Sequence, residues 1–423
     1  MSKENNSSIE YGRNIPKGWV ETTLGEVCDA KGGKRLPKGE TLVSEKTNHP
    51  YIRIIDFNGN SINKNNLQFV PDETFFKIAR YIVNKNDVII SIVGTIGLVA
   101  RIDKDLNNAS LTENCVKLIN LKEVDDNYLF YYLTSSIGQY EINKNTVGAV
   151  QKKLPIYGVQ NINIVLPPLP EQKAIAKILT AFDDKIELLQ EQNKTLETTA
   201  QTIFKEWFGK YQIGDELPDG WRVGKLGEEF DITIGRTPPR KEKEWFSNIP
   251  TGKKWISIKD IGNAGTYISN TAEYLTNEAI ERFNIPIIPE NTTILSFKMT
   301  VGKLTITTED MLSNEAIAHL KLKQDTVLSS EFIYLYLQDL DFNALGSTSS
   351  IVTAINSTMI KHLEFVLPEE NILLQFDKLI KPIFDKIYNN TTQIQTLKQT
   401  SDTLLPKLMS GQLRVDEFKE SAV

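Results

Sequence analysis

Pro16-Lys17-Gly18-Trp19 returns as Pro218-Asp219-Gly220-Trp221, so that the two copies lie 202 residues apart. The same offset relates Leu24-Gly25-Glu26 to Leu226-Gly227-Glu228. Later matches extend the correspondence: Tyr51–Asp56 with Trp255–Asp260, Thr95–Gly97 with Thr300–Gly302, and Leu166-Pro167 with Leu367-Pro368. A repeat this long far exceeds the roughly 20–50-residue units of solenoids and therefore indicates a duplicated domain. Two diverged modules on one chain are typical of a protein that binds two similar, non-identical targets.

Composition is that of an ordinary globular protein with room for two to four domains: 423 residues, 40% hydrophobic and 24% charged. No apolar run approaches the roughly 18–20 residues that span a bilayer. Residues 1–15 lack the apolar core of a signal peptide and are predicted to be a short disordered arm. Cys28 and Cys115 have no counterparts in the second copy. We expect both to be buried thiols in a reducing cytoplasm.

Charge is distributed unevenly between the two copies. Residues 16–167 hold 18 Lys and Arg against 16 Asp and Glu (+2), whereas residues 218–368 hold 15 against 19 (−4). The net charge of the chain is −6. A protein that binds DNA alone usually has a basic surface. If this one binds DNA, local basic loops or partner subunits must supply the phosphate contacts.

Each copy mixes short strands with one or two helices. Apolar, β-branched runs bounded by Gly, Asn, Asp or Pro predict strands at Tyr51–Ile55, Asp87–Val93, Cys115–Asn120, Trp255–Ile258, Thr292–Phe297 and Ala316–Leu322. Helical apolar spacing predicts helices at Asn127–Ser136 and Glu331–Leu340. The pattern favours two compact α+β modules.

A long segment with seven-residue apolar spacing follows each module. The seam positions are Phe182, Ile186, Leu189, Asn193, Leu196, Ala200, Ile203 and Trp207, then Ile383, Ile387, Asn390, Ile394, Leu397, Ser401, Leu404 and Leu408. Such sustained heptads predict a coiled coil. An antiparallel register that places Asn193 opposite Asn390 also pairs Leu189 with Ile394, and a buried Asn pair prevents sliding. The alternative is that both asparagines lie at the seam edge in water.

Several of these stretches resemble the specificity (S) subunit of type I restriction-modification systems. They are Leu166–Leu179, Leu404–Arg414, the module openings Pro16–Gly33 and Pro218–Pro239, and Thr95–Gly97, and the resemblance runs from Ile15 to Arg414. The second long segment departs from the pattern at its start, where Glu369-Glu370-Asn371 stands for Pro170-Glu171-Gln172. Contacts at that end are therefore open.

The resemblance implies an α+β fold with two target recognition domains in a pseudo-two-fold repeat, separated by two long helices that form an antiparallel coiled coil. The expected segments are residues 16–168 (domain 1), 169–210 (helix 1), 211–368 (domain 2), 369–410 (helix 2) and a tail at 411–423. Each domain is expected to bind one half of a bipartite, asymmetric target in double-stranded DNA. The helices would dock two modification (methyltransferase) subunits, which restriction (translocating nuclease) subunits then join. A cytoplasmic, membrane-free complex is expected.

Catalytic motifs are absent from the sequence. No Gly-x-x-x-x-Gly-Lys-Ser/Thr, no Gly-x-Gly-x-x-Gly and no Asn-Pro-Pro-aromatic occurs. His49, His319 and His362 lie far apart, without metal-ligand spacing. We expect a non-catalytic chain without a cofactor or a bound metal.

Candidate DNA contacts lie in two matching basic loops. Glycine allows the backbone to approach phosphate closely, and clustered cations gain from counterion release. The candidates are Lys31, Lys34, Arg35 and Lys38 in the first loop, Arg236, Arg240, Lys241 and Lys243 in the second, and the weaker pair Lys152 and Lys153. The alternative for each is a solvated basic turn. Trp19 and Trp221 are expected to pack in the core rather than to stack on bases.

Two other interpretations remain open. The acidic second copy is compatible with a scaffold that pairs two protein-binding modules through a coiled coil, without DNA. A silent member of the family that no longer binds DNA is a narrower possibility.

Overall fold

The computed structural model describes residues 15–298, 300–342 and 356–415. It divides into two compact units, Met1–Asp184 with Lys398–Val423, and Lys185–Leu397. The predicted N-terminal arm lies outside the described residues except for Ile15, and so does the predicted tail beyond residue 415.

The first unit contains two four-stranded sheets, and all of its strands are short. They are β1 (Val20–Thr23), β2 (Asp29–Gly32), β3 (Pro50–Ile52), β4 (Phe57–Asn58), β5 (Ser61–Ile62), β6 (Gln68–Phe69), β7 (Ile82–Val83), β8 (Val88–Ser91), β9 (Val99–Arg101), β10 (Ala109–Leu111), β11 (Cys115–Ile119) and β12 (Asn163–Leu166). The main antiparallel sheet has the order β2-β11-β8-β9, and a second sheet has the order β6-β3-β10-β7. Strands β1 and β12 pair separately and close the module.

Helices cover the sheets of the first unit. They are α1 (Leu24–Val27), α2 (Asp72–Ile78), α3 (Asp126–Thr134), α4 (Ser136–Lys144), α5 (Ile156–Gln160) and the start of the long α6 (Leu169–Phe208), which belongs to this unit up to Asp184. The Asp125 side chain caps α3, since it accepts hydrogen bonds from the backbone of Asn127 and Tyr128. Helix α3 buries nearly all of its side chains and supplies much of the module core.

The second unit repeats this order. Its strands are β13 (Arg222–Lys225), β14 (Phe230–Ile234), β15 (Phe246–Ser247), β16 (Lys253–Ile256), β17 (Tyr267–Ile268), β18 (Glu273–Leu275), β19 (Thr293–Ser296), β20 (Leu304–Thr307), β21 (Leu312–Ser313), β22 (Ile317–Leu322) and β23 (Glu364–Leu367). Its helices are α7 (Leu226–Glu229), α8 (Ile258–Asn263), α9 (Asn277–Arg282), α10 (Ser330–Asp339), α11 (Ser357–Lys361) and the long α12 (Glu370–Met409). The main sheet is β14-β22-β19-β20-β17 and the second is β15-β18-β16-β21. The predicted duplicated α+β fold is confirmed.

Two predicted strands are too long, and both errors fall at the same place in the repeat. Strand β3 ends at Ile52 because the Asp56 carboxylate accepts a hydrogen bond from the Arg53 backbone at 2.8 Å and closes a 3-10 turn. Strand β16 ends at Ile256 because Asp260 accepts from the Ser257 backbone at 2.8 Å and starts α8. These capping interactions compete with strand pairing.

The two predicted packing residues lie against the module cores, Trp19 buried and Trp221 partly buried. Trp19 lies in the core of the first unit, and Trp221 packs against Phe208 and Tyr211 in the second. Cys28 and Cys115 are free, buried thiols, as expected. Gly97 and Gly302 adopt φ of +86° and +84° in turns that follow β8 and β19, so each marks a tight turn.

The start of the first long helix is tied into its module by Gln172. This buried side chain accepts from the Asp125 backbone at 3.0 Å and donates to the carbonyls of Glu123 and Pro167 at 3.1 and 2.9 Å. The offset of 201 that relates β12 to β23 and the start of α6 to that of α12 makes Leu373 the counterpart of Gln172, and Leu373 is a buried apolar side chain. The departure at the start of the second long helix therefore removes this joint from the second module.

The seam of the second unit is antiparallel. The Asn390 amide donates to Asn193 Oδ1 at 2.9 Å, and the Trp207 ring lies 5.7 Å from the Phe376 ring. Residues later in α6 therefore face residues earlier in α12, as in an antiparallel helix pair. Leu189 is buried and Ile394 is half-buried. Asn390 Oδ1 is buried without a hydrogen-bond partner among the described residues. The lost hydration of this oxygen lowers stability, and an apolar pair would avoid that loss.

Asn193→Leu is expected to lower the free energy of unfolding by about 1–3 kcal/mol, because it leaves the buried Asn390 amide without its acceptor. Replacing both residues by Leu should recover most of this loss. Asn389→Leu, on the exposed face of the same helix, is the matched control and should change little. Urea denaturation of the three variants checks the expectation, and an unaffected N193L protein would contradict it.

Candidate DNA interface

An open cavity of about 570 Å³ lies beside the first basic loop. Loop residues Arg35 and Lys38 line it, together with Arg53, Thr112 and Asn114 from other parts of the first unit. The loop follows β2, and Thr112 and Asn114 precede β11, its neighbour in the main sheet. Tertiary structure thus places polar side chains from three segments around one concave surface.

Backbone hydrogen bonds hold the first basic loop against the strand end. The Gly33 amide donates to the Cys115 carbonyl at 3.0 Å, and the Lys34 amide donates to the Leu111 carbonyl at 2.8 Å. The Tyr51 hydroxyl donates to the Lys34 carbonyl at 2.8 Å. The loop is therefore a fixed support for its side chains rather than a free turn.

The second basic loop is held in the same way, 202 residues later. The Gly235 and Arg236 amides donate to the carbonyls of Ile317 and Ser313 at 3.2 and 2.9 Å. The Trp255 indole donates to the Arg236 carbonyl at 3.2 Å. Tyr51 and Trp255 are thus equivalent anchors, which sequence reasoning had treated only as strand residues. An aromatic donor at the same repeat position was the available signal.

Gly33→Ala is expected to displace the first loop. A Cβ at this position would lie 2.1 Å from the Thr112 carbonyl oxygen and 2.3 Å from that of Leu111, and backbone atoms cannot rotate away. Such overpacking costs about 1–3 kcal/mol. Gly32→Ala is the matched control, since its Cβ would meet only the Ile156 side chain at 3.6 Å. Hydrogen exchange of the loop amides should rise in G33A and stay unchanged in G32A; equal exchange in both variants would refute the clash.

The cations of the first loop differ in their surroundings. Lys31, predicted in the loop, lies within strand β2 with its Nζ 3.8 Å from Asp29, whereas Arg35 Nε in the loop lies 2.6 Å from Glu113. Lys34 Nζ lies 5.9 Å from the Tyr81 ring centre. Lys38 is exposed and has no ion pair within the described part of the chain.

The second loop is more strongly neutralised. Arg240 donates to both Glu273 oxygens at 2.9 Å, and its guanidinium lies 4.3 and 4.5 Å from the ring centres of Phe246 and Trp255. Arg236 donates to the Phe283 carbonyl at 3.2 Å. Lys241 and Lys243 are exposed, and neither has an ion-pair partner among the residues described.

A hairpin presents the third candidate, Lys152 with Lys153. Lys153 pairs with Val147 and Val93, and the Leu154 amide donates to the Ile92 carbonyl. Both lysines are exposed, and Val150 near the tip is fully exposed. Sequence reasoning missed Val150, because exposure at a hairpin tip depends on the fold. Its counterpart in the second copy falls outside the described residues.

The hairpin and the first basic loop leave the same end of the main sheet. Strands β2 and β8 are both antiparallel to β11, so they run in the same direction. The loop continues from the end of β2, and the hairpin pairs with residues that follow β8. This end of the main sheet therefore carries Lys34, Arg35, Lys38, Lys152 and Lys153.

His319 lies under the second loop. It is fully buried, with Nδ1 3.0 Å from Thr233 Oγ1 and Nε2 2.7 Å from Ser313 Oγ. Ser313 also anchors the second loop, because its carbonyl accepts from the Arg236 amide. Burial, with a smaller effect of Lys321, lowers the pKa of His319 to about 3. The imidazole is therefore neutral near pH 7 and serves the packing of this strand end.

Acidification is expected to destabilise the second unit through His319. The unfolded imidazole takes up a proton below about pH 6.5, whereas the folded one does so only near pH 3. Stability is therefore present above pH 6.5 and falls as pH decreases, by about 1 kcal/mol between pH 7 and 5.5. Urea denaturation of wild type and His319→Gln at both pH values measures this, and the difference between them should shrink on acidification. A difference independent of pH would be the opposite result.

The opening of the first module is held by a partly buried ion pair. Arg414 donates to both Glu171 oxygens at 2.7 and 3.0 Å, and the Trp19 indole donates to Glu171 at 3.2 Å. Three segments that the sequence analysis singled out (Pro16–Gly33, Leu166–Leu179 and Leu404–Arg414) thus meet at one cluster. The family-like motifs are explained here by packing.

Comparison with known proteins identifies the family of this chain. The family model described as type I restriction modification DNA specificity domain matches residues 16–198 and again residues 218–401. The chain belongs to this family. The predicted resemblance is thereby confirmed, and each match covers one α+β module with part of the long helix that follows it.

Relatives match along most of the chain. The type I restriction enzyme MjaIX specificity subunit of Methanocaldococcus jannaschii is 26% identical over 96% of this chain and 95% of its own length. The HindI specificity subunit of Haemophilus influenzae is 24% identical over 74% and 83%. The crystal structure of the S subunit from M. genitalium, at 19% identity, covers 94% of this chain and 96% of that one with a TM-score of 0.56. The last comparison supports the fold.

No helix within the described ranges is both long and apolar enough to cross a membrane. Among the same residues, no group of three or more His, Cys, Asp or Glu side chains is placed to hold a metal ion.

Proposed function

We propose that this member of the specificity family directs a type I restriction-modification complex to an asymmetric, bipartite DNA target. Each recognition domain binds one half-site. The long helices α6 and α12 dock two modification subunits, which the restriction subunits join, in the cytoplasm. The chain itself supplies sequence recognition and no catalytic group.

One observation carries this proposal. Both modules present a basic loop that is anchored on glycine, on an aromatic donor and on the same two backbone positions, yet the residues differ at six of the eight equivalent places in 31–38 and 233–240. Lys34 corresponds to Arg236, and Arg35 to Thr237. A shared support with different side chains is suited to binding two similar but different half-sites. Cations at the end of the main sheet favour phosphate contact, which orients a protein on DNA while other side chains read bases.

A scaffold that pairs protein-binding modules is the second candidate. Its support is the second module, which has a net charge of −4 over residues 218–368 and holds Arg240 in an ion pair with Glu273. The match of both modules to a DNA specificity domain favours the first proposal.

Adenine-methylation mapping tests the proposal. The neighbouring modification subunit is expressed with and without this chain, and genomic DNA is sequenced for methylated adenine. Methylation that depends on the chain, at two short sequences around a fixed spacer, is the expected result. A stable complex that produces no new methylation would favour the scaffold or a silent family member.

A further inference from the structure

Two arginines at the first cavity differ in which nitrogens are free. Arg53 uses its whole guanidinium internally: Nε and a terminal nitrogen donate to Asp56 at 3.0 and 2.9 Å, and the other terminal nitrogen donates to Gln68. Arg35 instead uses only Nε, which donates to Glu113 Oε1 at 2.6 Å. Its terminal nitrogens have no partner among the described residues, and its side chain is 79% exposed.

The carboxylate that holds Arg35 is itself held. Glu113 also accepts a hydrogen bond from the Thr112 hydroxyl at 3.1 Å. Partial burial alone would raise the pKa of Glu113, but hydrogen bonds from Arg35, its own backbone and Thr112 lower it overall. The group is thus an ionised acceptor at neutral pH. Together with the anchored backbone of Gly33 and Lys34, it limits the orientations available to the guanidinium.

We propose that Arg35 reads a guanine in the half-site bound by the first module, with Glu113 as its positioning residue. The inference rests on the proposed function. Two terminal N–H groups of one planar guanidinium match the O6 and N7 acceptors of guanine in the major groove. Since Glu113 occupies Nε and the side chain is exposed, both terminal nitrogens are available together, and less rotamer entropy is lost on binding.

The second module has the carboxylate without the arginine. Glu315 stands 202 residues after Glu113, and Thr237 stands 202 residues after Arg35. The Thr237 hydroxyl donates to Glu315. The same support is therefore retained, but a hydroxyl cannot bond O6 and N7 in this bidentate way. This position specifies guanine in one half-site only, which contributes to the asymmetry of the target.

Arg240 does not offer the same contact. One of its terminal nitrogens donates to both Glu273 oxygens, and its guanidinium face is covered by Phe246 and Trp255. It stabilises the second loop.

The test uses the full chain in complex with its modification subunits and a library of duplexes in which both half-sites are randomised. Enriched sequences are compared for wild type, Arg35→Ala, Arg35→Lys, Glu113→Gln and Lys38→Ala. We expect a guanine in one wild-type half-site that both Arg35 variants cease to prefer, with a loss of about 5- to 150-fold in discrimination at that position. Glu113→Gln should lose a smaller part at the same position. Lys38→Ala, an exposed cation of the same loop, should weaken all sequences alike.

Two results would overturn the inference while leaving the proposed function intact. In one, Arg35→Ala binds every sequence more weakly but still enriches the wild-type motif, which would show that Arg35 contacts phosphate rather than a base. In the other, the position that changes is not a guanine. If wild type enriches no bipartite motif at all, the proposed function fails, and the inference fails with it.

Discussion

Replacing residues 218–368 by the second module of another family member is expected to abolish methylation of the original target and to create a new one that keeps one half-site unchanged. Each basic loop is anchored inside its own module. The Arg236 amide bonds the Ser313 carbonyl, and the Trp255 indole bonds the Arg236 carbonyl, so the whole support moves with the exchanged segment. Among the described residues, the partners of the backbone of the first loop are residues of the first module.

The exchange is read by methylation mapping of the hybrid with the original modification subunit. The control is the same exchange with a module from a member known to share the second half-site, which should leave the target unchanged. If both half-sites change in the first hybrid, the two modules do not bind their half-sites independently.

Phe376→Ala is expected to cause the largest loss of stability that we predict, about 3–5 kcal/mol. The ring is fully buried where α6, α10 and α12 of the second unit meet. It lies 4.8 Å from the Phe208 ring, 5.7 Å from Trp207 and 6.2 Å from Phe332. Removing it leaves a cavity that three helices cannot close, and it loses edge-to-face contacts between aromatic rings.

Leu374→Ala, two residues away on the exposed side of the same helix, should change stability by no more than about 0.5 kcal/mol. Phe376→Leu should cost less than Phe376→Ala because it refills part of the volume. Equilibrium urea denaturation of the three variants measures these values. Equal stability of F376A and L374A would show that the aromatic cluster does not hold this module to its helices.

The sequence predicted those features that depend on periodicity and repetition. Matching Pro-x-Gly-Trp openings revealed the duplication, and heptad spacing placed the asparagines that the structure joins, Asn193 and Asn390. Local competition between backbone and side chains was harder to predict. Arg53–Ile55 and Ser257–Ile258 read as strand continuations, but the carboxylates of Asp56 and Asp260 cap a turn in each.

The candidate interface could be predicted only in part. Glycine and clustered cations indicated both basic loops, and the DNA contacts of their side chains stay predictions. Nothing local to Arg240 indicated that Glu273, 33 residues away, neutralises it. Likewise, Glu113 lies 78 residues from Arg35, so their contact was invisible in the chain order.

The sequence by itself determined the duplication, the α+β class, the helical seam and the family, because these follow from residue spacing along the chain. Tertiary structure alone decided which cations remain free, since that depends on which carboxylates and rings the fold brings beside them. It gave Arg35 an exposed fork held at Nε, and it gave Arg240 a packed, paired guanidinium. Two loops that look alike as sequences therefore differ as surfaces, because partners distant in the chain complete each one.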